Sequence, residues 1–212
     1  MYEKFGQFID GKWQASSNKE TYEVINPANE EVIGRASKAT PEDVDRALKS
    51  AEKGLEVWKK TSPWKRSSVI RKIADLIRAK QDVLAKWITL EVGKPFLEGK
   101  GEVGATADIF EWNSEETKRI YGQTVESRFE DTRIHVYYQP IGVVAAMSPW
   151  NFPLVLSGRK ISTALAAGCS VIIKPDVIAP GGVMELVDIC REAGVPPGVV
   201  NLLSGDPPSI AS

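Results

Sequence analysis

The sequence is poor in the side chains that bind metals or form disulfides. Its 212 residues include one histidine, His135, and two cysteines, Cys169 and Cys190. A single histidine excludes a multi-histidine metal site, and two cysteines are too few for a structural zinc site or a disulfide framework. We therefore predict no metal site and a reducing, cytoplasmic setting.

The chain also lacks an excess of charge and a long apolar run. It has 27 basic and 28 acidic residues, a balance that predicts neither nucleic acid nor an anionic membrane as a partner. No apolar run approaches the roughly 20 residues of a membrane-spanning helix, and the first residues do not resemble a signal peptide. The composition is that of a globular protein with a sizeable core.

Residues 1–121 are predicted to combine short strands with three helices. A Thr-Pro pair at 40–41 and a Ser-Pro pair at 62–63 each place an N-cap before a proline at the first helical position. The apolar stripe after the second pair predicts one helix that ends at the Gly-Lys-Pro run at 93–95. A third helix is expected from residue 96 to about 120.

Residues 122–139 change to a β pattern. Two short segments, 125–127 and 134–138, flank a polar turn and predict a hairpin. Because two isolated strands are only marginally stable in water, this arm is expected to need a partner sheet in the same chain or in another copy.

Residues 140–212 predict a βαβαβ unit, which makes the fold class α/β with a parallel Rossmann-type sheet. The first strand, 141–147, is apolar enough to be buried on both faces. Gly168 and Gly194 stand where helix C-caps belong, and residues 204–212 resemble the start of a further helix. Right-handed crossovers place three strands in one sheet, at 141–147, 170–174 and 199–204, with helices at 152–167 and 181–193 between them.

The turn after the first of these strands contains the most informative residues. Pro149 and Pro153 bracket Asn151 at the carboxyl end of a parallel strand, where open α/β sheets bind ligands. Lys174 ends the next strand at the same edge, where a lysine can donate to ribose hydroxyls or to a phosphate. On the residues alone, the common alternatives are a turn asparagine that bonds its own backbone and a solvated strand-end lysine.

The Pro149–Pro153 turn (PWNFP) and the Ile172–Pro175 run (IIKP) resemble the NAD(P)-dependent aldehyde dehydrogenase superfamily, and the resemblance covers essentially the whole chain. It implies the amino-terminal part of that fold. It also implies that Asn151 supplies half of an oxyanion site, that Pro149 and Trp150 help to hold the cofactor, and that Lys174 contacts the adenosine ribose. The 122–139 arm is then expected to reach a neighbouring subunit in a homo-oligomer.

Members of the superfamily that prefer NAD commonly have a glutamate three positions after this lysine. Val177 stands there in this sequence, and a valine neither bonds a ribose 2′-hydroxyl nor repels a 2′-phosphate. The side chain of Asp176 is expected to point elsewhere. The cofactor is therefore predicted to be NADP or NAD, and Val177 argues against a preference for NAD.

Arg159 follows Asn151 by eight residues and precedes Lys160. The resemblance implies that an Arg-Lys pair at this spacing holds the substrate carboxylate in relatives that oxidise semialdehydes, and a guanidinium binds a carboxylate in bidentate fashion. A pair on the helix surface is an equally weighted alternative. The segment 111–122 resembles the succinate-semialdehyde dehydrogenase branch, which favours a carboxylate-bearing aldehyde as substrate.

Neither cysteine is expected to be a nucleophile. Cys169 lies between a glycine and an apolar strand, and Cys190 lies on an amphipathic helix, so both are predicted to be buried and inert. The resemblance implies that the nucleophilic cysteine and the general base lie beyond residue 212. The chain is thus predicted to be an inactive portion of an oxidoreductase, the alternative being a non-catalytic nucleotide-binding or oligomerisation module.

Overall fold

The computed structural model describes residues 2–206 and residue 210. Its elements, in chain order, are β1 (Gln7–Ile9), β2 (Lys12–Gln14), β3 (Thr21–Ile25), β4 (Val32–Ser37), α1 (Pro41–Trp58), α2 (Pro63–Ala79), α3 (Gln81–Val92), α4 (Phe96–Glu116), β5 (Gln123–Glu126), β6 (Arg133–Val136), β7 (Val143–Met147), α5 (Pro153–Ala167), β8 (Ser170–Lys174), α6 (Gly181–Ala193) and β9 (Val200–Leu202).

The main sheet has the strand order β2-β1-β9-β8-β7. Strands β7, β8 and β9 run parallel, which confirms the predicted α/β unit, and Met147 lies opposite Lys174 at the carboxyl end of the first pair. The hairpin formed by β1 and β2 extends this sheet, because Phe8 pairs antiparallel with Leu202. The sheet is therefore mixed, a feature that the sequence pattern did not predict.

A smaller apolar cluster lies between α1 and the sheet and includes Ala47, Ala51 and Ile172, and the helices otherwise pack around one main core. Trp58 ends α1 in that core, and its indole N–H donates to the carbonyl of Leu165 at 2.9 Å. Each fully buried large apolar side chain contributes roughly 1.5 to 3 kcal/mol. The largest of them are Trp58, Phe110, Ile70, Ile73, Ile77, Leu84, Ile88, Leu154, Ile161, Leu165, Ile173 and Met184.

The predicted helix starts and stops are confirmed at four places. The Thr40 hydroxyl accepts from the Asp43 N–H in a capping box, and the Ser62 hydroxyl accepts from the Lys65 N–H. Gly168 and Gly194 end α5 and α6 in the left-handed conformation, with φ of 87° and 97°. Local capping chemistry is therefore sufficient to define these boundaries.

Three expectations about the elements were wrong. The single helix predicted up to residue 92 is divided at Lys80 into α2 and α3. Both α2 and α3 bury apolar side chains against α4 and α6. The apolar spacing therefore continues across Lys80 and gives no sign that the helix is interrupted there. The third helix is shorter than predicted, since α4 ends at Glu116 and a 3-10 turn follows. Strand β7 is not buried on both faces, because Ala145 and Met147 on one face are exposed while Ala146 on the other is buried.

The hairpin predicted in the arm is present. Strands β5 and β6 pair antiparallel, with Gln123 opposite Val136, and form a separate two-stranded sheet that is largely exposed. The helix expected over 204–212 falls mostly on residues 207–209, 211 and 212, which lie outside the described residues.

A buried carboxylate from α3 caps α6, which has no capping side chain of its own. The Glu91 carboxylate accepts from the N–H groups of Gly181 at 2.7 Å and Gly182 at 3.1 Å, and from the Tyr2 hydroxyl. These backbone N–H groups at the start of α6 have no hydrogen-bond acceptor within the helix, and Glu91 supplies one. Burial raises the pKa of Glu91 from its ordinary 4.5 to about 7, although these hydrogen bonds act in the opposite direction.

The raised pKa of Glu91 predicts a protein that loses stability between about pH 5 and pH 8. The folded state binds this proton more tightly than the unfolded state. The resulting contribution to the free energy of unfolding is fully present below pH 4.5 and is lost as the pH rises through about 7. The loss is on the order of 3 kcal/mol at about 1.4 kcal/mol per pKa unit. Urea unfolding at several pH values measures it.

The Glu91→Gln variant has nearly the same side-chain shape but cannot ionise, and it loses one of the two acceptor oxygens of the cap. It should be less stable than the wild type, and its free energy of unfolding should change much less across this window. Glu98→Gln removes an exposed carboxylate of α4 and should follow the wild-type pH profile. A wild-type free energy of unfolding that does not fall between pH 5 and pH 8 would contradict the assignment.

Candidate functional site

The turn that contains Asn151 lies directly beyond the carboxyl end of β7. The Ser148 N–H donates to the Lys174 carbonyl at 3.1 Å, so β7 and β8 remain paired up to this edge. The hydroxyls of Ser148 and Ser157 lie 2.7 Å apart and join the turn to α5. Pro149, Trp150 and Asn151 therefore stand at the same edge of the sheet as Lys174, where parallel α/β sheets bind ligands.

Asn151 presents its side chain to the outside of the turn. The residue is exposed, and its carboxamide makes no hydrogen bond to any residue within 2–206. Asn26 shows the contrasting case, since its Oδ1 accepts from the Ala28 N–H at 2.9 Å and closes a turn. The Asn151 amide is therefore available to a ligand and is not used to hold its own backbone.

A buried ion pair from the helical layer holds this turn, and the sequence pattern did not reveal it. Glu102 of α4 accepts from the N–H groups of Leu154 at 3.0 Å and Val155 at 3.4 Å, and so caps α5. Its other oxygen lies 2.5 Å from the Lys94 ammonium. Lys94 in turn donates to the Asn151 carbonyl at 3.3 Å.

The Lys94 ammonium also lies over the Phe152 ring, 3.8 Å from its centroid, which adds a cation–π contact to the same turn. The sequence interpretation took Lys94 only as part of a helix-breaking Gly-Lys-Pro run. The sequence carries only a weak indication of the ion pair: Lys94 lies at a helix break, and Glu102 follows eight residues later in the next helix. Nothing local, however, indicates that they meet a turn some 50 residues away.

Lys174 is a buried cation at the end of β8. It is 7% exposed, and its ammonium donates to the Pro175 carbonyl at 3.1 Å. No carboxylate within residues 2–206 comes within 4 Å of it, and burial lowers its pKa against the opposing charges of Asp176 and Asp206. The ammonium thus keeps donors for a ligand at this edge, so the residues present fit a ribose or a phosphate.

The residue three positions after Lys174 carries no carboxylate, and the carboxylate of Asp176 is engaged in a local turn. Val177 is partly buried, and the Asp176 carboxylate accepts from the Ile178 N–H at 3.1 Å in a local turn. This turn directs the Asp176 side chain to its own backbone. A ribose 2′-substituent beside Lys174 would therefore meet an apolar side chain.

Arg159 is not brought into this cluster. It lies on an exposed face of α5, about 9 Å along the helix axis from Pro153. With Lys160 and Thr163 it lines an apolar groove of about 420 Å³ beside β7. Arg159, the candidate contact for a substrate carboxylate, therefore lies on the side of α5. The first turn of this helix follows Asn151.

Both cysteines are free and buried, as predicted, with Cys169 2% and Cys190 1% exposed. Burial raises the pKa of the Cys190 thiol to about 12, which makes a thiolate at that position unfavourable at neutral pH. The described part of the chain contains no cluster of three or more potential metal ligands. None of its helices combines the length and apolar character needed to cross a membrane.

The aldehyde dehydrogenase family matches residues 13–212, so the chain belongs to that family. It is 41% identical over 198 residues to glutarate-semialdehyde dehydrogenase of Pseudomonas putida, covering 93% of this chain and 41% of the relative. It is 40% identical over 197 residues to the NADP⁺-dependent succinate-semialdehyde dehydrogenase of Escherichia coli, with the same coverage. The chain thus spans about two fifths of the length of these curated relatives.

Solved structures agree with this placement. An NADP-dependent enzyme of Escherichia coli superimposes with a TM-score of 0.96 at 38% identity, covering 99% of this chain and 44% of that one. A betaine aldehyde dehydrogenase of Staphylococcus aureus, solved with NAD⁺, gives a TM-score of 0.95 at 34% identity, covering 98% of this chain and 42% of that one. The predicted family and α/β fold are therefore confirmed.

The ion pair below the turn predicts that Lys94→Met is destabilising by roughly 2 to 3 kcal/mol, because it leaves the Glu102 carboxylate buried without its cation. Amide hydrogen exchange in a peptide covering residues 149–155 should also become faster. Lys100→Met is the matched control, since Lys100 pairs with the exposed Asp82 and also lies over an aromatic ring. Its cost should stay below about 1 kcal/mol. Equal losses in the two variants would refute the role given to Lys94.

Proposed function

We propose that these residues form the cofactor edge and part of the oxyanion site of an enzyme that oxidises an aldehyde to its acid with NADP or NAD. The observation that carries this proposal is the Pro149–Pro153 turn, with an exposed Asn151, beside the buried Lys174 at the carboxyl edge of a parallel sheet. Support comes from the semialdehyde dehydrogenases among the relatives and from the cofactors named for the structural neighbours.

In this proposal Asn151 acts on the substrate oxygen. When a thiolate adds to the aldehyde carbon, that oxygen gains negative charge, and a fixed amide N–H lowers the energy of the resulting anion. The two prolines restrict the backbone of the turn, and Lys94 holds its carbonyl, so the amide needs little reorganisation. The bound nicotinamide would accept hydride from the carbon.

Pro149, Trp150 and Lys174 are the proposed cofactor contacts. The Lys174 ammonium would donate to the adenosine ribose or to a phosphate attached to it. Trp150 is about half exposed and offers an apolar surface at the same edge. Since Val177 brings no negative charge beside the ribose, it does not itself repel a 2′-phosphate, and we propose that NADP binds at least as tightly as NAD.

Titration of the purified protein with NADP and NAD tests this assignment. Lys174→Met should weaken the binding of both cofactors by about tenfold, because one charge-assisted hydrogen bond is lost. Val177→Glu should weaken NADP selectively, since the new carboxylate repels the 2′-phosphate and accepts from a 2′-hydroxyl. Lys86→Met, at an exposed position of α3, is the charge-matched control and should leave both affinities unchanged. Clearly tighter binding of NAD by the wild-type protein would contradict the role given to Val177.

Arg159 is the proposed contact for a substrate carboxylate, which makes a semialdehyde such as succinate semialdehyde the favoured substrate class. Its guanidinium is exposed at the rim of the apolar groove along α5, so an acid there would be held beside an aliphatic chain. Arg159→Ala should weaken the binding of succinate semialdehyde and leave butyraldehyde binding unchanged. Equal effects on the two aldehydes would exclude the clamp.

We further propose that these 212 residues do not turn over an aldehyde by themselves. Both cysteines are buried, and neither lies in a setting that would stabilise a thiolate. Formation of NADPH that depends on added aldehyde, by a preparation whose intact mass matches these 212 residues, would disprove this statement.

Self-association through residues 122–139 is proposed as well. This arm exposes several large apolar side chains without covering them in the described part of the chain: Val125, Phe129, Ile134, Tyr137 and Tyr138. A second copy of the chain is the occupant that the family resemblance favours. Sedimentation analysis should show an oligomer that Tyr137→Ser weakens, and a monomer at all concentrations would exclude it.

A further inference from the structure

Arg66 of α2 is a buried guanidinium without an acid partner. The residue is 7% exposed, its Nη1 donates to the Thr61 carbonyl at 2.7 Å, and its Nε is buried without any hydrogen-bond partner. No carboxylate of residues 2–206 lies within 4 Å of it, and burial lowers its pKa, opposed only by Cys169. A charged group in this state is costly unless something compensates it.

The Arg66 side chain faces a cleft of about 470 Å³ whose charged lining is entirely basic. Lys59, Lys60 and Arg66 contribute the cations, and Ser62, Tyr138 and Gln139 contribute polar groups. Glu56 lies outside the lining and forms ion pairs with both lysines. The net local charge is therefore about +2, which matches a dianion.

The position of the cleft separates it from the proposed cofactor edge. Gln139 and Pro140 precede β7 and Ala167 ends α5, so the cleft lies at the amino end of the parallel strands. Asn151 and Lys174 lie at the carboxyl end. A ligand in the cleft would thus bind at the opposite end of the βαβ unit from the cofactor.

A purely structural role explains only part of the Arg66 environment. A Cβ added at Gly168, the C-cap of α5, would lie 3.3 Å from the Arg66 Nη1, so the guanidinium packs against that helix end. The carboxyl end of a helix carries only a partial negative charge, and the Nε donor still has no acceptor. Lys59 and Lys60 add charge that this role does not need.

We propose that this cleft binds a doubly charged oxyanion, either inorganic phosphate or the phosphate group of a small metabolite. The Arg66 guanidinium supplies a planar set of donors, and the two lysines supply compact charges at the mouth. The amino end of α2 opens onto the same space and adds the favourable end of its dipole. Ser62 accepts from the Lys65 N–H and keeps its own hydroxyl hydrogen free to donate.

Titration with inorganic phosphate at constant ionic strength, followed by calorimetry or phosphorus NMR, tests the site. Phosphate should bind the wild-type protein, and the double variant Lys59→Gln/Lys60→Gln should bind it roughly fivefold more weakly. Arg66→Gln should lose about tenfold or more. The lysine variant changes only exposed charges, so the test stands even if Arg66→Gln fails to fold.

A matched control removes the same charge from two exposed positions within α1 that do not line the cleft. Lys49→Gln/Lys53→Gln alters a different basic pocket, of about 340 Å³, and should leave phosphate affinity unchanged. Equal losses in the two double variants, or no phosphate binding at all, would overturn the proposal. So would acetate binding as tightly as phosphate.

Two further measurements identify the ligand and distinguish this site from the cofactor edge. Glycerol phosphate that binds as well as inorganic phosphate supports a phosphorylated metabolite, and binding of inorganic phosphate alone supports the free ion. Lys174→Gln should retain phosphate binding. If Lys174→Gln abolishes it, the anion binds at the cofactor edge, and the present proposal fails while the proposed function stands.

Discussion

Two buried carboxylates from the helical layer determine how the helices of the βαβ unit begin. Glu102 caps α5 and Glu91 caps α6, and neither helix has a capping side chain of its own. Two amino-terminal N–H groups of each helix therefore donate to a buried carboxyl group. A carboxylate at these helix ends disfavours a phosphate there, which is consistent with the proposed cofactor contact at Lys174, at the end of β8.

The same arrangement explains how a turn outside the core becomes a fixed platform. Glu102 joins the first turn of α5 to Lys94, and Lys94 contacts both the Asn151 carbonyl and the Phe152 ring. The backbone of the turn is held from beneath, while the Asn151 carboxamide remains free. The backbone from which the Asn151 side chain projects is thus positioned by the fold, and its amide N–H groups stay available to a ligand.

The sequence predicted what depends on local chemistry and missed what depends on distant partners. The N-caps at Thr40 and Ser62, the C-cap glycines and the parallel order of β7, β8 and β9 follow from short patterns. The joining of β1 to β9 pairs Phe8 with Leu202 and adds hydrogen bonds between the Gln7 side chain and Ser204, across most of the chain. Neither this pair nor the contact of Lys94 with Asn151 leaves a periodic signal, so the positioning network was found only in three dimensions.

Arg66 and Lys174 are buried cations of the same kind at opposite ends of the parallel unit. Each is 7% exposed, donates to one backbone carbonyl, and has no carboxylate within 4 Å in the described part of the chain. Two buried acids of the helical layer, Glu91 and Glu102, are used for helix capping. Since neither cation contacts a carboxylate in the described part of the chain, each end of the unit is suited to an anion or a polar ligand from solution.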